Sequence, residues 1–384
     1  MNINKIKEDF NILNKKINGK PYVYLDSACM SLKPILVVNK IIEYYANYPT
    51  CGGRSNYKLA KDVTWNVEET RRLVKKFINA KYEEEIIFNR NTTEGINLIA
   101  KNFDNVLITD REHNSNLIPW KNKIIVNSKK DFTFDFEAFQ SKVKGVKLVS
   151  FVWTSNLDGY SLPVKEIIKI AHENDSLVML DAAQAVPHRE VNVNGLDVDF
   201  LVFSGHKMLG PTGTGILYGK KDLLNKMKPL ILGGGTVYDS TYASYKLEDI
   251  PKRFEAGLQD YSGIIGLSEA IRYLGKYLDD LESHEKKLIK YLYDNLDVEH
   301  VGVNNYALNS SIFNFNLKNR DSHEVAIMLD QMENICVRSG AHCVHSWFNK
   351  HNIKGSVRAS VYLYNDLNDV KILIECIDKL KKLG

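Results

Sequence analysis

A helical segment between two strand-length apolar runs constrains the fold of this chain more than any other feature. The runs are KLVSFVW (147–153) and SLVMLD (176–181), and the segment between them is KEIIKIAHEND (165–175). Two strands joined by a helix of this length form a βαβ unit with parallel strands. The first two thirds of the chain repeat this alternation, with further strand-length runs EIIF, NVLITD, KIIVN and VDFLVF and helical patterns at 34–48 and 63–80. The pattern predicts an α/β domain with a mainly parallel sheet covered by helices.

The last third of the chain has a different pattern. A long helical stretch over 266–295 is followed by the alternating segments SIFNFNL, SHEVAIMLDQM, ICVRSGAHC, SVRASVYLY and DVKILIECIDKLKK. This order is typical of a smaller α+β layer, and 384 residues exceed one ordinary domain. We therefore expect an N-terminal segment at residues 1–20 that packs on the small domain, a large domain over 21–265 and a small domain over 266–384.

Charge and composition exclude several classes of protein. The 51 basic and 47 acidic residues are scattered without a long single-sign block, which gives no case for a nucleic-acid or membrane partner. The chain has neither an apolar run that could span a bilayer nor a secretory signal pattern, so we expect a cytoplasmic protein. Five cysteines without a C-x-x-C pair argue against a disulfide framework and against a metal site.

Two consecutive predicted strands end in complementary polar groups. Asp181 ends SLVMLD and is followed by Gln184, and Ser204, His206 and Lys207 follow VDFLVF. Taken alone, such an aspartate is more often a cap and such a lysine is more often solvated. Together they match pyridoxal 5'-phosphate (PLP) chemistry, which needs an amine to bind the aldehyde and a carboxylate to keep the pyridine nitrogen protonated.

A third strand end supplies groups for an anion. Thr92 and Thr93 follow EIIFN and open a helical pattern, so their hydroxyl and N–H groups would lie at a helix N-terminus. Alone, this would more often be a simple helix cap. In parallel sheets ligands bind beyond the carboxyl ends of strands, and the three strand ends therefore predict one cofactor cleft there.

These segments resemble the SufS-type (group II) cysteine desulfurase and selenocysteine lyase family, a class V aminotransferase group with the fold type I, aspartate aminotransferase-like architecture. TTEGIN, EH-x-x-N-x-x-PW, D-x-AQ, FSGHK-x-x-GPTG, RFEAG and RSG-x-HC occur in the family's order, from Tyr24 to Asn365. The resemblance implies a PLP-dependent homodimer that converts L-cysteine to L-alanine and passes sulfur to an acceptor protein or scaffold for iron–sulfur cluster assembly.

The resemblance also implies a role for each matching residue. Lys207 would be the Schiff-base lysine and the acid and base at the substrate Cα, and Cys343 the persulfide carrier. The cofactor would be held by Asp181 at the pyridine nitrogen, Gln184 at the phenolic oxygen, His113 on the ring, and Thr92, Thr93, Ser204 and His206 at the phosphate. Asn156 and Arg358 would hold the substrate carboxylate, with Arg338 also in the substrate site, near Cys343, where its charge would favour the thiolate. The other cysteines, Cys29, Cys51, Cys336 and Cys376, are expected to serve packing.

The chain departs from the family pattern at several positions. Tyr57 stands where a histidine is usual, and Leu258 replaces the threonine that reaches the neighbouring subunit's phosphate, so that contact is expected to be lost or to be replaced by Thr236. Alternatives stay open from the sequence: a selenocysteine lyase, a class V aminotransferase or epimerase without sulfur transfer, or a non-catalytic sulfur-transfer scaffold.

Overall fold

The computed structural model describes residues 1–382 and is built around a seven-stranded sheet. The strands of the chain, β1 to β17 in order, are Lys16–Ile17, Lys20–Pro21, Val23–Tyr24, Ile86–Asn89, Asn105–Thr109, Asn122–Val126, Leu148–Val152, Leu177–Asp181, Phe200–Ser204, Gly215–Gly219, Val237–Ser240, Tyr245–Leu247, Glu299–His300, Ile312–Asn316, Ile335–Cys336, Arg338–Gly340 and Ser356–Ser360. The large sheet has the order β4-β10-β9-β8-β7-β5-β6, and β10 alone runs against its neighbours. The predicted mainly parallel sheet is confirmed.

Helices cover this sheet and join its strands. In order, α1 to α14 are Ile3–Glu8, Ile35–Asn47, Lys58–Phe77, Thr92–Ala100, Asn114–Leu117, Phe136–Lys142, Val164–His172, Val193–Leu196, Lys221–Leu224, Tyr261–Leu274, Leu278–Asn295, Ser322–Glu333, His345–Lys350 and Leu367–Lys382. The helix α7 lies between β7 and β8 in the sequence, and these two strands are parallel. It buries an apolar stripe that includes Ile167 and Ile168. It is the helix of the βαβ unit that the sequence pattern predicts.

A second sheet lies in the C-terminal third, with the antiparallel order β13-β14-β17-β16. Its apolar cluster is built mainly from the last hundred residues and also takes in Val23 and Leu25. Val23 lies in β3 and Leu25 directly follows it, and β3 pairs in parallel with β15. The segment after residue 20 therefore packs with the C-terminal elements before the chain enters the large sheet.

The long helical stretch predicted over 266–295 is two helices, α10 and α11, and Gly275 lies between them. Glycine has low helix propensity, and the chain turns here through Lys276 and Tyr277 before α11 begins. At the N-terminus, α1 carries Ile6 into the main core cluster. Phe10, which follows this helix, is fully buried with its ring against Tyr364.

The parallel direction of the sheet sets the position of the functional site. The strands β7, β8 and β9 end at Val152, Asp181 and Ser204 on the same edge of the sheet. Because β10 is antiparallel to both β9 and β4, β4 points the same way, and the turn after it opens α4 at Thr92 on that edge. Ligands of parallel sheets bind at this edge.

Candidate active site

A cavity of about 290 Å³ opens at the carboxyl edge of the large sheet. All the site residues predicted from the sequence line it: Thr92, Thr93, His113, Asn156, Asp181, Gln184, Ser204, His206, Lys207, Arg338, Cys343 and Arg358. They come from at least six segments that are distant in the chain. The wall also contains residues that the sequence did not indicate, among them Cys29, Ser115 and His342.

Lys207 and Asp181 are the buried ionisable pair of this cavity. Asp181 ends β8 and is 3% exposed, and its Oδ1 accepts a hydrogen bond from Ala183 N at 3.0 Å. Burial raises the pKa of Asp181, while the Ala183 amide and Lys207 lower it. Burial lowers the pKa of Lys207, and Asp181 partly opposes this. A lysine in this setting is more readily a neutral, nucleophilic amine than a surface lysine.

Several polar atoms in this wall are buried without a partner. Among residues 1–382, no group forms a hydrogen bond with Gln184 Oε1, Asn156 Oδ1, or Arg358 Nε and Nη2, although Arg358 Nη2 lies 3.5 Å from Asp26 Oδ1. Their other atoms are held in place: Gln184 Nε2 donates to Ala28 O at 2.6 Å, and Arg358 Nη1 donates to Asn156 O at 2.8 Å. Buried polar groups in folded proteins are normally paired, so oriented and unpaired groups in one cavity indicate a polar ligand.

Hydroxyl groups surround the start of α4. Thr92 Oγ1 and Ser204 Oγ are 2.7 Å apart, and Ser204 Oγ accepts from Thr92 N at 2.9 Å. Thr93 Oγ1 and Ser115 Oγ are also 2.7 Å apart. Burial, then Lys207, lowers the pKa of His206 to about 4, so this ring is neutral near pH 7. Hydroxyl groups at the positive end of a helix favour a phosphate there.

His113 caps α5 and faces the same cavity. Ser115 N donates to His113 Nδ1 at 3.1 Å, so a neutral ring carries its hydrogen on Nε2. Burial, followed by the charges of Lys207 and Arg358, lowers the pKa of His113 to about 3. The uncharged ring can therefore stack on an aromatic ligand without placing a further positive charge next to Lys207.

The loop that carries Cys343 is held tightly against the rest of the site. Asn156 Nδ2 donates to His342 O at 2.6 Å, and Asn114 N donates to Cys343 O at 2.8 Å. The φ angles of His342 and Cys343 are +48° and +60°, values that cost a residue with a side chain about 1 kcal/mol or more. Arg338 Nη2 donates to the half-buried Cys343 Sγ at 3.8 Å. The thiol is thus fixed in the cavity wall beside a cation.

The expected packing role of Cys29 is wrong, because Cys29 lies in the cavity wall and accepts a hydrogen bond from Arg338. Its position depends on a contact with a residue more than 300 positions away, which no local pattern reveals.

Tyr57 and Leu258 are exposed, by 53% and 71%. Thr236 is fully buried, and its hydroxyl bonds with Gly233 rather than facing the cavity.

The residues present fit PLP. An amine faces a buried carboxylate, a hydroxyl cluster lies at a helix N-terminus, and the unpaired Gln184 Oε1 and Arg358 donors point to further polar atoms of a ligand. This fold and site define a PLP-dependent enzyme of fold type I.

The sequence profile described as Aminotransferase class-V matches residues 23–373, and the chain belongs to this PLP-dependent family. A relative described as a probable cysteine desulfurase, from Halalkalibacterium halodurans, is 37% identical, with 100% of this chain and 98% of the relative covered. A cysteine desulfurase from Wigglesworthia glossinidia brevipalpis is also 37% identical over 99% of this chain and 98% of its own. The resemblance to cysteine desulfurases of class V is confirmed.

Solved structures agree with this assignment. A cysteine desulfurase from Thermococcus onnurineus has a TM-score of 0.93 at 36% identity, and 99% of this chain and 98% of that chain are covered. A cysteine desulfurase from Escherichia coli has a TM-score of 0.90 at 28% identity, with 100% and 99% covered. The predicted fold class, with PLP as cofactor, is confirmed.

Proposed function

We propose that this chain is a cysteine desulfurase that converts L-cysteine to L-alanine and leaves the sulfur as a persulfide on Cys343. One observation carries the proposal: the Lys207 amine, the unpaired Arg358 donors and the Cys343 thiol line the same cavity. The reaction balances without an oxidant, because the substrate gives up its sulfur and Cys343 changes from thiol to persulfide.

Arg358 is the group we assign to the substrate carboxylate. Its Nε and Nη2 are two donors of one planar fork, and a carboxylate accepts two such hydrogen bonds in parallel. Asn156 is a positioning residue, since its carbonyl fixes Arg358 and its amide fixes the loop of Cys343. Carboxylate binding therefore places the substrate relative to the thiol.

Lys207 and Cys343 carry out the transfer. When bound, PLP withdraws electrons from the substrate Cα. The neutral Lys207 amine removes the Cα proton and later returns a proton to the carbon skeleton. The Cys343 thiolate attacks the substrate sulfur, an S–S bond forms, and the bond from that sulfur to Cβ breaks. Alanine leaves after the proton is returned.

The test is to incubate the PLP-loaded protein with L-cysteine and to measure alanine. We expect alanine from the wild type and from Lys130→Ala, a surface lysine control, and none above background from Lys207→Ala. The visible absorbance of the bound cofactor should also be lost or shifted in Lys207→Ala. Equal alanine formation by both lysine variants would overturn the assignment of Lys207.

Cys343→Ala distinguishes sulfur transfer from a plain aminotransferase or epimerase. A desulfurase should lose nearly all alanine formation in this variant, while an enzyme without sulfur transfer should keep it. L-cysteine and L-selenocysteine differ little in size, so the sequence does not separate a desulfurase from a selenocysteine lyase. Parallel assays that compare kcat/KM for the two substrates distinguish these alternatives.

The finer biological context follows from the same proposal. We infer a cytoplasmic enzyme, supported by five free thiols, that passes sulfur to an acceptor protein in iron–sulfur cluster assembly. Within residues 1–382, every helix is too short or too polar to cross a membrane. Exposed apolar side chains such as Ile42, Tyr45, Trp65 and Leu258 support a homodimer, which sedimentation at several protein concentrations would test.

A further inference from the structure

Two thiols, not one, lie in the cavity wall, and one guanidinium contacts both. Arg338 Nη1 donates to Cys29 Sγ at 2.7 Å, and Arg338 Nη2 donates to Cys343 Sγ at 3.8 Å. Cys29 comes from the turn after β3 and Cys343 from the loop after β16. Both side chains are half-buried and both are free.

The surroundings of Cys29 differ from those of the other cysteines outside the Cys343 loop. Burial lowers the pKa of Lys207, Arg358 and Lys33, and a charge on Cys29 opposes this in all three. Cys29 thus contacts Arg338 and shares the cavity wall with Lys207 and Arg358. In contrast, Cys376 is buried in the C-terminal core, and the thiols of Cys336 and Cys51 donate to the backbone carbonyls of Asn334 and Gly52.

We propose that Cys29 is a second sulfur-accepting thiol, which takes the terminal sulfur from the Cys343 persulfide. This inference rests on the proposed function, since that function is what loads Cys343. The Cys29 thiolate attacks the terminal sulfur, a new S–S bond forms at Cys29, and the S–S bond at Cys343 breaks. The electron pair leaves on Cys343 Sγ, so one thiolate and one persulfide exist before and after the step, and no oxidant or reductant is consumed.

Geometry and charge both favour this step. A persulfide extends the reach of Cys343 by one S–S bond, about 2 Å, from a thiol that shares a guanidinium with Cys29. Because Arg338 contacts both sulfurs, the negative charge that moves from Cys29 to Cys343 stays next to the same cation throughout. The transfer returns Cys343 to a free thiol, which can accept sulfur from a second substrate molecule.

The experiment measures sulfur stored per subunit without an acceptor protein. PLP-loaded protein receives a small excess of sulfur-labelled L-cysteine without reductant and is separated rapidly from small molecules. We expect about two labelled sulfur atoms per subunit in the wild type and in the control Cys336→Ser, and about one in Cys29→Ser. Alkylation and peptide mass spectrometry should find persulfide at both Cys29 and Cys343 in the wild type, and at neither in Cys343→Ser.

Each other outcome contradicts the proposal in a recognisable way. Persulfide on Cys343 alone, with one labelled sulfur in both wild type and Cys29→Ser, would show that Cys29 does not accept sulfur. A Cys29–Cys343 disulfide with released sulfide would show that Cys29 removes sulfur instead of storing it. Absence of persulfide from Cys343 in the wild type would overturn the proposed function itself, and this inference with it. The wild-type peptide map needs no variant, so poor folding of Cys29→Ser would not affect it.

Discussion

Arg71 and Arg358 are both buried arginines, 3% and 2% exposed, and they differ in how their guanidinium groups are paired. Arg71 on α3 uses every nitrogen: it donates to Ile86 O at 2.6 Å, to both oxygens of Glu255 at 2.8 and 3.1 Å, and to Glu68 at 3.1 Å. Its environment is complete within the chain, as expected of a group that holds a fold together.

Arg358 on β17 is paired on one side only. Nη1 donates to Asn156 O, Nη2 lies 3.5 Å from Asp26 Oδ1 without a hydrogen bond, and Nε is also unpaired within the described residues. Burial lowers the pKa of both arginines, but Glu255 and Glu68 raise that of Arg71 above its ordinary value, whereas that of Arg358 stays lowered. Burial alone therefore does not mark a functional arginine, whereas donors without a hydrogen bond on an arginine that lines a cavity do.

Replacement of Arg358 by methionine should give the largest effect on activity. Loss of a two-pronged carboxylate contact in a buried site costs about 2–5 kcal/mol, or roughly 30- to 5,000-fold in kcat/KM for L-cysteine. The free energy of unfolding should fall by less than it does when Arg71 is replaced. Steady-state kinetics measures the loss of kcat/KM, and urea unfolding measures the loss of stability. A near-normal kcat/KM would contradict the assignment of Arg358 to the substrate carboxylate.

Arg71→Met should show the opposite pattern. The Glu255 carboxylate, 9% exposed, would lose its charge partner and keep the Phe88 amide as a hydrogen-bond donor, so the free energy of unfolding should fall by about 3 kcal/mol. The folded variant should keep kcat/KM within about twofold of wild type, because Arg71 is outside the cavity wall. Denaturant unfolding of both methionine variants under the same conditions measures the contrast. An Arg71→Met protein with wild-type stability and lost activity would contradict the structural role assigned to Arg71.

Lysine at the same two positions sharpens the comparison with a smaller change. Lysine keeps the charge but lacks the planar fork of arginine. Arg358→Lys should weaken substrate binding by about 1–3 kcal/mol, seen as a higher KM, and Arg71→Lys should lower the free energy of unfolding by a similar amount. Substrate titrations and unfolding curves test this. If Arg358→Lys matches wild type in KM, a point charge suffices and the two-pronged contact is absent.

The smallest expected effect is a change in the pH dependence of PLP uptake, which depends on the pKa of Lys207. Asp181 does not fully offset the effect of burial on this pKa, whereas Glu255 and Glu68 more than offset it for Arg71. The pKa of Lys207 is below the ordinary value and Asp181 raises it. The rate at which apo-protein takes up PLP should therefore rise with pH and level off below the ordinary lysine pKa. Asp181→Asn removes the opposing charge, so the midpoint should move to lower pH. An unchanged or higher midpoint, followed by absorbance, would contradict the electrostatic account.

The sequence predicted those parts of the molecule that depend on local pattern. Strand-length runs and one βαβ unit indicated the parallel sheet, and polar residues at strand ends indicated Asp181 and Lys207. The resemblance to the desulfurase family added Arg358 on β17 and Cys343 in the loop after β16, which could not be joined to the first pair by periodicity.

Features that depend on tertiary contacts were not predictable. The break between α10 and α11 lies at Gly275, whereas Gly266 lies inside α10, so a glycine in the helical pattern does not by itself locate the break. The place of Cys29 in the cavity wall depends on Arg338, and the anchoring of the Cys343 loop depends on the backbone of Asn114. These contacts join segments more than two hundred residues apart, and no spacing within one segment encodes them.

The most direct test of the account is the mass of the Cys343-containing peptide after a brief exposure of PLP-loaded protein to L-cysteine. The account predicts one additional sulfur atom on that peptide, together with alanine in solution, and loss of both in Arg358→Met. Alanine that accumulates while the Cys343 peptide keeps its unmodified mass, with wild-type rates in Cys343→Ala, would contradict it.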